Sequence, residues 1–229
     1  MRLPWLAGCA IIAMLPLLWL PVLPGPCSLA GASALALALI RLHGRAVAGV
    51  AMTLLLVVWG VLSAHQALWP TRHLTGAIRQ AEVILSETDG QTLHRGQMVR
   101  LRGRYLFPPV GVTLYGELAP APACAGQHWL MTLRLRPVHG QLNDGGFDSQ
   151  RYALAQHRPL SGGIVAASAL DARCSLRARY LTSLTRRLQT YPRRAVMLGL
   201  GMGERLSLPT EIKVLMQNTG TSHLMAISG

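Results

Sequence analysis

From Leu3 to Ile40 no residue carries a formal charge. These 38 residues would make about 57 Å of helix, whereas a bilayer core is about 30 Å thick and needs roughly 20 helical residues to cross. Pro21, Pro24, Gly25 and Pro26 break the run where helix does not continue readily. The pattern therefore predicts two spans, near 3–20 and 25–40, the second rich in Ala and Leu with small residues suited to helix packing. A basic loop, Arg41–Arg45 (RLHGR), leads into a third apolar run over 46–64. Trp5, Trp19 and Trp69 stand near the predicted span ends, where an interfacial belt places them. A cleaved signal peptide fits poorly, since two apolar runs follow the first and no A-x-A site closes it. Leu6-Ala7-Gly8-Cys9 imitates a lipoprotein box, but too few residues precede it.

Beyond residue 82 the period shortens to two. Strands are expected over 82–87, 98–107, 112–118, 128–137 and 162–169. In Met98–Phe107, alternation puts Val99, Leu101, Tyr105 and Phe107 on one face and Arg100, Arg102 and Arg104 on the other. Such a row repeats about every 6.5–7 Å, a workable pitch for successive phosphates. In 128–137, Trp129, Met131, Leu133 and Leu135 face inward, while Arg134 and Arg136 face outward and can join the row. Alternation assigns Tyr105, Phe107 and Trp129 to the core, although base stacking in single-strand binders uses such residues. A solvated strand face is the competing reading of the arginines. Five short strands in about 90 residues suit a small barrel, for which the oligonucleotide/oligosaccharide-binding (OB) fold is the natural candidate. Asn143–Gly146 is a turn, and Asp148 is placed to cap a helix over 149–157, with Phe147 and Tyr152 at staple positions.

Residues 173–194 hold seven arginines and no acid, with Leu176, Tyr180, Leu181, Leu184 and Leu188 at helical spacing. This predicts a basic amphipathic helix in which Arg177, Arg179, Arg186 and Arg187 meet either lipid headgroups or nucleic-acid phosphate. Ala195–Gly203 reads as a helix-packing or hinge segment, and Pro209–Thr219 as a helix with Gly220 after its end.

The net charge of +13 divides as +5 over residues 1–81, +1 over 82–171 and +7 over 172–229. The candidate barrel is thus nearly neutral. Only 14% of residues are charged and 51% are hydrophobic, which argues against an ordinary cytosolic enzyme and against a disordered basic tail. Basic short loops at Arg2 and Arg41–Arg45 put the N-terminus and that loop in the cytoplasm and export everything after about residue 66. Cys124 and Cys174 flank the fourth and fifth strands in that exported part, so a disulfide between them is expected. The eight histidines and nine acids form no metal-ligand spacing, triad or D-x-D pair. No catalysis, metal or cofactor is expected.

Two stretches carry a resemblance. Val138–Gln156 (VHGQLNDGGFDSQRYALAQ) and Gly199–Gly229 (GLGMGERLSLPTEIKVLMQNTGTSHLMAISG) resemble the ComEC family of DNA-internalisation competence proteins, especially its enterobacterial members. The resemblance implies a multi-pass inner-membrane channel for one DNA strand, with an exported OB-type barrel in the periplasm. It implies single-stranded DNA, the lipid bilayer, the rest of the channel and other competence proteins as partners. His223 and Ser228 belong to the second stretch and imply packing in a channel domain. The expected layout is a membrane protein of α plus β class: transmembrane helices in 1–69, barrel in 70–171, basic helix in 172–194 and the start of a competence domain in 195–229. On this reading the chain ends where the channel spans begin. Three functions stand: a DNA-guiding front module, a structural or gating module without DNA contact, and a non-functional truncated copy.

Overall fold

The computed structural model describes residues 3–20, 22–42, 44–119, 123–140, 146–204, 206 and 208–222. His43, the Asn143–Gly145 part of the expected turn, and His223 with Ser228 lie outside the described residues. The chain divides into two compact units, residues 1–73 and 74–229.

The first unit holds α1 (Leu3–Met14), a 3-10 turn (Leu15–Leu18), α2 (Pro26–Ile40) and α3 (Arg45–His73). Pro26 opens α2 at a position where its missing N–H is no loss. α3 runs nine residues past its expected end at 64 and contains Pro70. Its stretch Ala46–His73 is long and apolar enough to cross a membrane. α1 and α2, with 12 and 15 residues, reach only about 18 and 23 Å, so the expected three spans narrow to one helix of full length among the described residues. Small residues bring these helices together. A Cβ at Gly49 would lie 2.8 Å from Trp5 Cζ2, and one at Gly60 would lie 2.8 Å from Leu17 Cδ1. His65 Nε2 donates to the Pro24 carbonyl at 2.9 Å, which places the start of α2 beside the later half of α3. Trp5 therefore packs against α3 at Gly49.

The second unit is a closed five-stranded barrel in the order β1-β2-β3-β5-β4. Its strands are β1 (Ile78–Thr88), β2 (Leu93–Leu101), β3 (Arg104–Tyr115), β4 (His128–Pro137) and β5 (Leu160–Asp171). β1–β4 pairing closes it, and β3 with β5 is the one parallel pair among the described residues, joined over Val112–Tyr115 and Leu160–Gly163. Alternation fills the interior with Val83, Leu85, Met98, Val112, Leu114, Trp129, Met131, Leu133, Leu135 and Leu160. β4 matches its expected bounds of 128–137.

The expected strand over 98–107 is corrected. Arg102 and Gly103 form a two-residue turn with φ of 48° and 78°, so this stretch is the end of β2, a hairpin and the start of β3. Positive φ at both central residues is the hairpin geometry that suits strand twist. Two buried polar residues complete the interior. His94 Nε2–H donates to the Gly116 carbonyl at 2.9 Å, and its Nδ1 lies 2.7 Å from Thr88 Oγ1. Gln127 Oε1 accepts from Trp129 Nε1 and the Cys124 N–H, while its amide donates to the Ala172 carbonyl.

Between β4 and β5 runs α4 (Ser149–Ala155), with Asp148 Oδ1 accepting from the Arg151 N–H at 2.9 Å and Phe147 against Tyr152 at 5.3 Å. The basic segment is shorter than the expected 172–194: α5 (Leu176–Arg187) has 12 residues, and α6 (Arg194–Met202) follows after a turn. The glycine-rich stretch is therefore helical up to Gly203, which caps it in the left-handed region. α7 (Thr210–Asn218) ends before Gly220, also at positive φ.

Candidate nucleic-acid interface

The β2–β3 hairpin is where the sequence pattern and the structure part most usefully. Its turn separates the three arginines expected on one strand face. Arg100, near the end of β2, reaches back to Glu82 at 3.3 Å and lies 3.9 Å over the Tyr105 ring, to whose hydroxyl it also donates. The hydrogen bonds to Tyr105 and then Glu82 raise its pKa further above the ordinary guanidinium value. Arg102 sits in the turn and Arg104 opens β3, both exposed and with no ion pair among the described residues.

The aromatics near them are not in the core. Tyr105 is 75% exposed and Phe107 98% exposed, so the assignment by alternation holds only for Trp129, at 1%. Leu101 and Leu106 are the hairpin residues that pack against the core, and Tyr105 and Phe107, on either side of Leu106, face outward. The result is an exposed arm carrying two cations and two aromatic rings, the combination on which single strands stack and ride.

Arg134 and Arg136 do not join this arm. They project from the outer face of β4 beside Tyr115 on β3. The sequence pattern missed their neighbour Arg95, because residues 93–97 show no expected strand. It also missed Arg158, in the connection after α4. Only the alternation of Leu93, Arg95 and Gln97 hinted at an outward row.

On α5, Arg177, Arg179, Arg186 and Arg187 are exposed, and the Arg177 guanidinium donates to the Met202 carbonyl. Arg186 and Arg187 stand in the last turn, where cations favour the helix dipole. Ser175 Oγ caps the helix by accepting from the Ala178 N–H. Just before that cap, Cys174 is bonded to Cys124, with Cα atoms 5.6 Å apart. The bridge ties the start of α5 to the β3–β4 connection, and the Ser175 N–H donates to the Ala125 carbonyl at the same place. No group of metal-ligating side chains occurs among the described residues.

Comparison with known proteins adds two relatives. The chain is 54% identical over all of its 229 residues to the uncharacterized protein YcaI of Escherichia coli (strain K12), covering 30% of that protein. It is 31% identical over 101 residues to Recombination protein 2 of Haemophilus influenzae, which is 44% of this chain and 13% of that protein. The chain thus spans less than a third of the length of either relative. No protein-family model matches it. No solved structure matches it.

Proposed function

We propose that this chain is the front part of a membrane protein of the ComEC type that takes up single-stranded DNA, and that its barrel is an extracytoplasmic module guiding the strand. The exposed arm carries this reading: Arg102, Arg104, Tyr105 and Phe107 stand in water at the tip of a closed barrel. The closed five-stranded order, with β3 parallel to β5, supports the reading as an OB barrel, a fold used for oligonucleotides. The similarity to Recombination protein 2 points the same way, and the resemblance of 138–156 and 199–229 supplies the rest. The Cys124–Cys174 bridge supports an oxidising compartment for the barrel, and the apolar α3 supports a bilayer for the helical unit. No catalysis is assigned to this chain.

The test uses the full chain in lipid nanodiscs and a fluorescent dT oligonucleotide. Binding should be salt-dependent, and Arg102→Ala with Arg104→Ala should weaken it. The slope of log K against log salt should fall by about 0.7 for each phosphate no longer neutralised. Tyr105→Ala with Phe107→Ala should weaken binding further. No binding by the parent chain would overturn the reading and leave the second one, a structural or gating module. That second reading has one observation in its favour: Arg100 is spent on Glu82 and Tyr105.

A further inference from the structure

Arg95, Arg136 and Arg158 line a single cavity of about 510 Å³ on the outer face of the barrel, together with Tyr115, Tyr152 and His139. That volume is in the ~300–1,000 Å³ range of small-ligand clefts. The strand register explains how the cations meet. Arg95 on β2 is opposite Thr113 on β3, Thr113 is beside Ser161 on β5, and Ser161 is opposite Arg136 on β4. The two arginines therefore end one row across four strands, about 14 Å apart at three strand spacings. Arg158 enters from the connection after α4.

Among the described residues these three guanidiniums have one carboxylate ion-paired between them. Glu87 Oε2 lies 2.8 Å from Arg95 Nη1 and 4.0 Å from Arg158 Nη1. Arg136 has no ion pair among the described residues. Burial first, and then the charge of Arg95, lower the pKa of Arg158, with Glu87 acting in the opposite direction. Tyr115 and Tyr152 are 51% and 49% exposed, so part of each is open to a partner, with Phe147 against the Tyr152 ring on another side.

We propose that this cavity holds one nucleotide of a DNA single strand, its phosphate between Arg95, Arg136 and Arg158 and its base on Tyr115 or Tyr152. The proposal rests on the single-strand reading above and adds a second binding region, built from the far ends of the hairpin strands together with β4, β5 and α4. Glu87 is the resident counter-ion: a phosphate entering the cavity competes with it for Arg95 and Arg158. A duplex, whose bases are stacked on each other, has no free base to place on the tyrosines.

Binding of labelled dT12 to the full chain in nanodiscs tests it. Arg136→Ala with Arg158→Ala should weaken binding and reduce the salt slope by about 0.7 per phosphate no longer neutralised. Tyr115→Ala with Tyr152→Ala should weaken dT12 binding by about 5- to 150-fold, the range for one base–aromatic stack. The same pair should leave binding of an abasic strand of equal length unchanged. Glu87→Gln should tighten dT12 binding about fivefold at low salt, the effect of removing one charge about 4 Å away in water. This gain cannot come from misfolding. If parent binding is lost only in the hairpin variants and Glu87→Gln changes nothing, the cavity is excluded while the DNA reading stands. If the parent binds no DNA, both fall.

Discussion

The barrel buries Trp129, Met98, Met131 and Leu133 at 1% exposure or less. The helical unit buries Cys9, Ala13, Ala36 and Ala51 with Val58 and Val61, and turns Ile11, Ile12, Leu37 and Trp59 outward at 60% exposure or more. Water drives the first arrangement, since a large apolar side chain gains most by leaving it. The second suits helices whose surroundings are themselves apolar. There a large side chain gains little by moving inward, and close approach of small residues decides the packing. The difference supports the bilayer placement proposed for the helical unit and the aqueous placement proposed for the barrel.

The contrast is most exposed to test at the tryptophans. Trp129→Ala should cost about 3–5 kcal/mol in denaturant unfolding of the barrel. Trp59→Ala should change stability by no more than about 0.5 kcal/mol. Equal losses would remove the contrast. Next comes the bridge. Its sequence separation of 50 predicts about 4 kcal/mol of stabilisation in the chain-entropy account. Cys124→Ser with Cys174→Ser should therefore lower the unfolding midpoint of the barrel and leave the helical unit unmoved, as read by separate probes with and without reductant. Within the helices the glycines should diverge. Gly49→Leu drives atoms into Trp5 and should cost about 1–3 kcal/mol. Gly31→Ala meets nothing within 4 Å and should gain about 0.5–1 kcal/mol, measured by thermal melting in detergent.

The barrel was legible where a strand has one wet and one dry face. Trp129, Met131, Leu133 and Leu135 alternate with outward residues, and β4 follows from that alone. It was illegible at Arg102-Gly103, because a two-residue turn needs no polar loop and Arg is an unusual residue at positive φ. The strand pattern therefore ran straight through the turn and put Tyr105 and Phe107 on the inward face, whereas Leu106 between them is the residue that packs against the core. The capped helix was legible at Asp148, Phe147 and Tyr152, since caps and staples are local. His94, Gln127 and the meeting of Arg95 with Arg136 and Arg158 depend on register around a closed barrel, which spacing along the chain does not reveal.

Two smaller effects probe the barrel side. Arg102→Asn should stabilise the hairpin by about 0.5 kcal/mol, because Asn accepts the left-handed conformation more readily. The same change should weaken DNA binding, so stability and affinity move in opposite directions. Asp171 is held down to about 2 by its hydrogen bonds from Arg173. A depressed carboxylate adds stability above its unfolded pKa of about 3.9 and loses it as pH falls toward the folded value. Asp171→Asn should therefore lower the melting temperature slightly at pH 6, and the difference from the parent should vanish near pH 2.

The half-paired β3 strand has a consequence for the free protein. In its first part Arg104, Tyr105, Val110 and Gly111 pair with β2, Leu106–Pro109 stand outside that register at an irregularity, and none of them has a β5 partner among the described residues. An unpaired strand edge is a template on which a second chain can add and start aggregation. Pro108 and Pro109 occupy this edge and have no N–H to offer. Two copies meeting there find an interrupted ladder, so the arm can stay bare in solution without seeding fibrils.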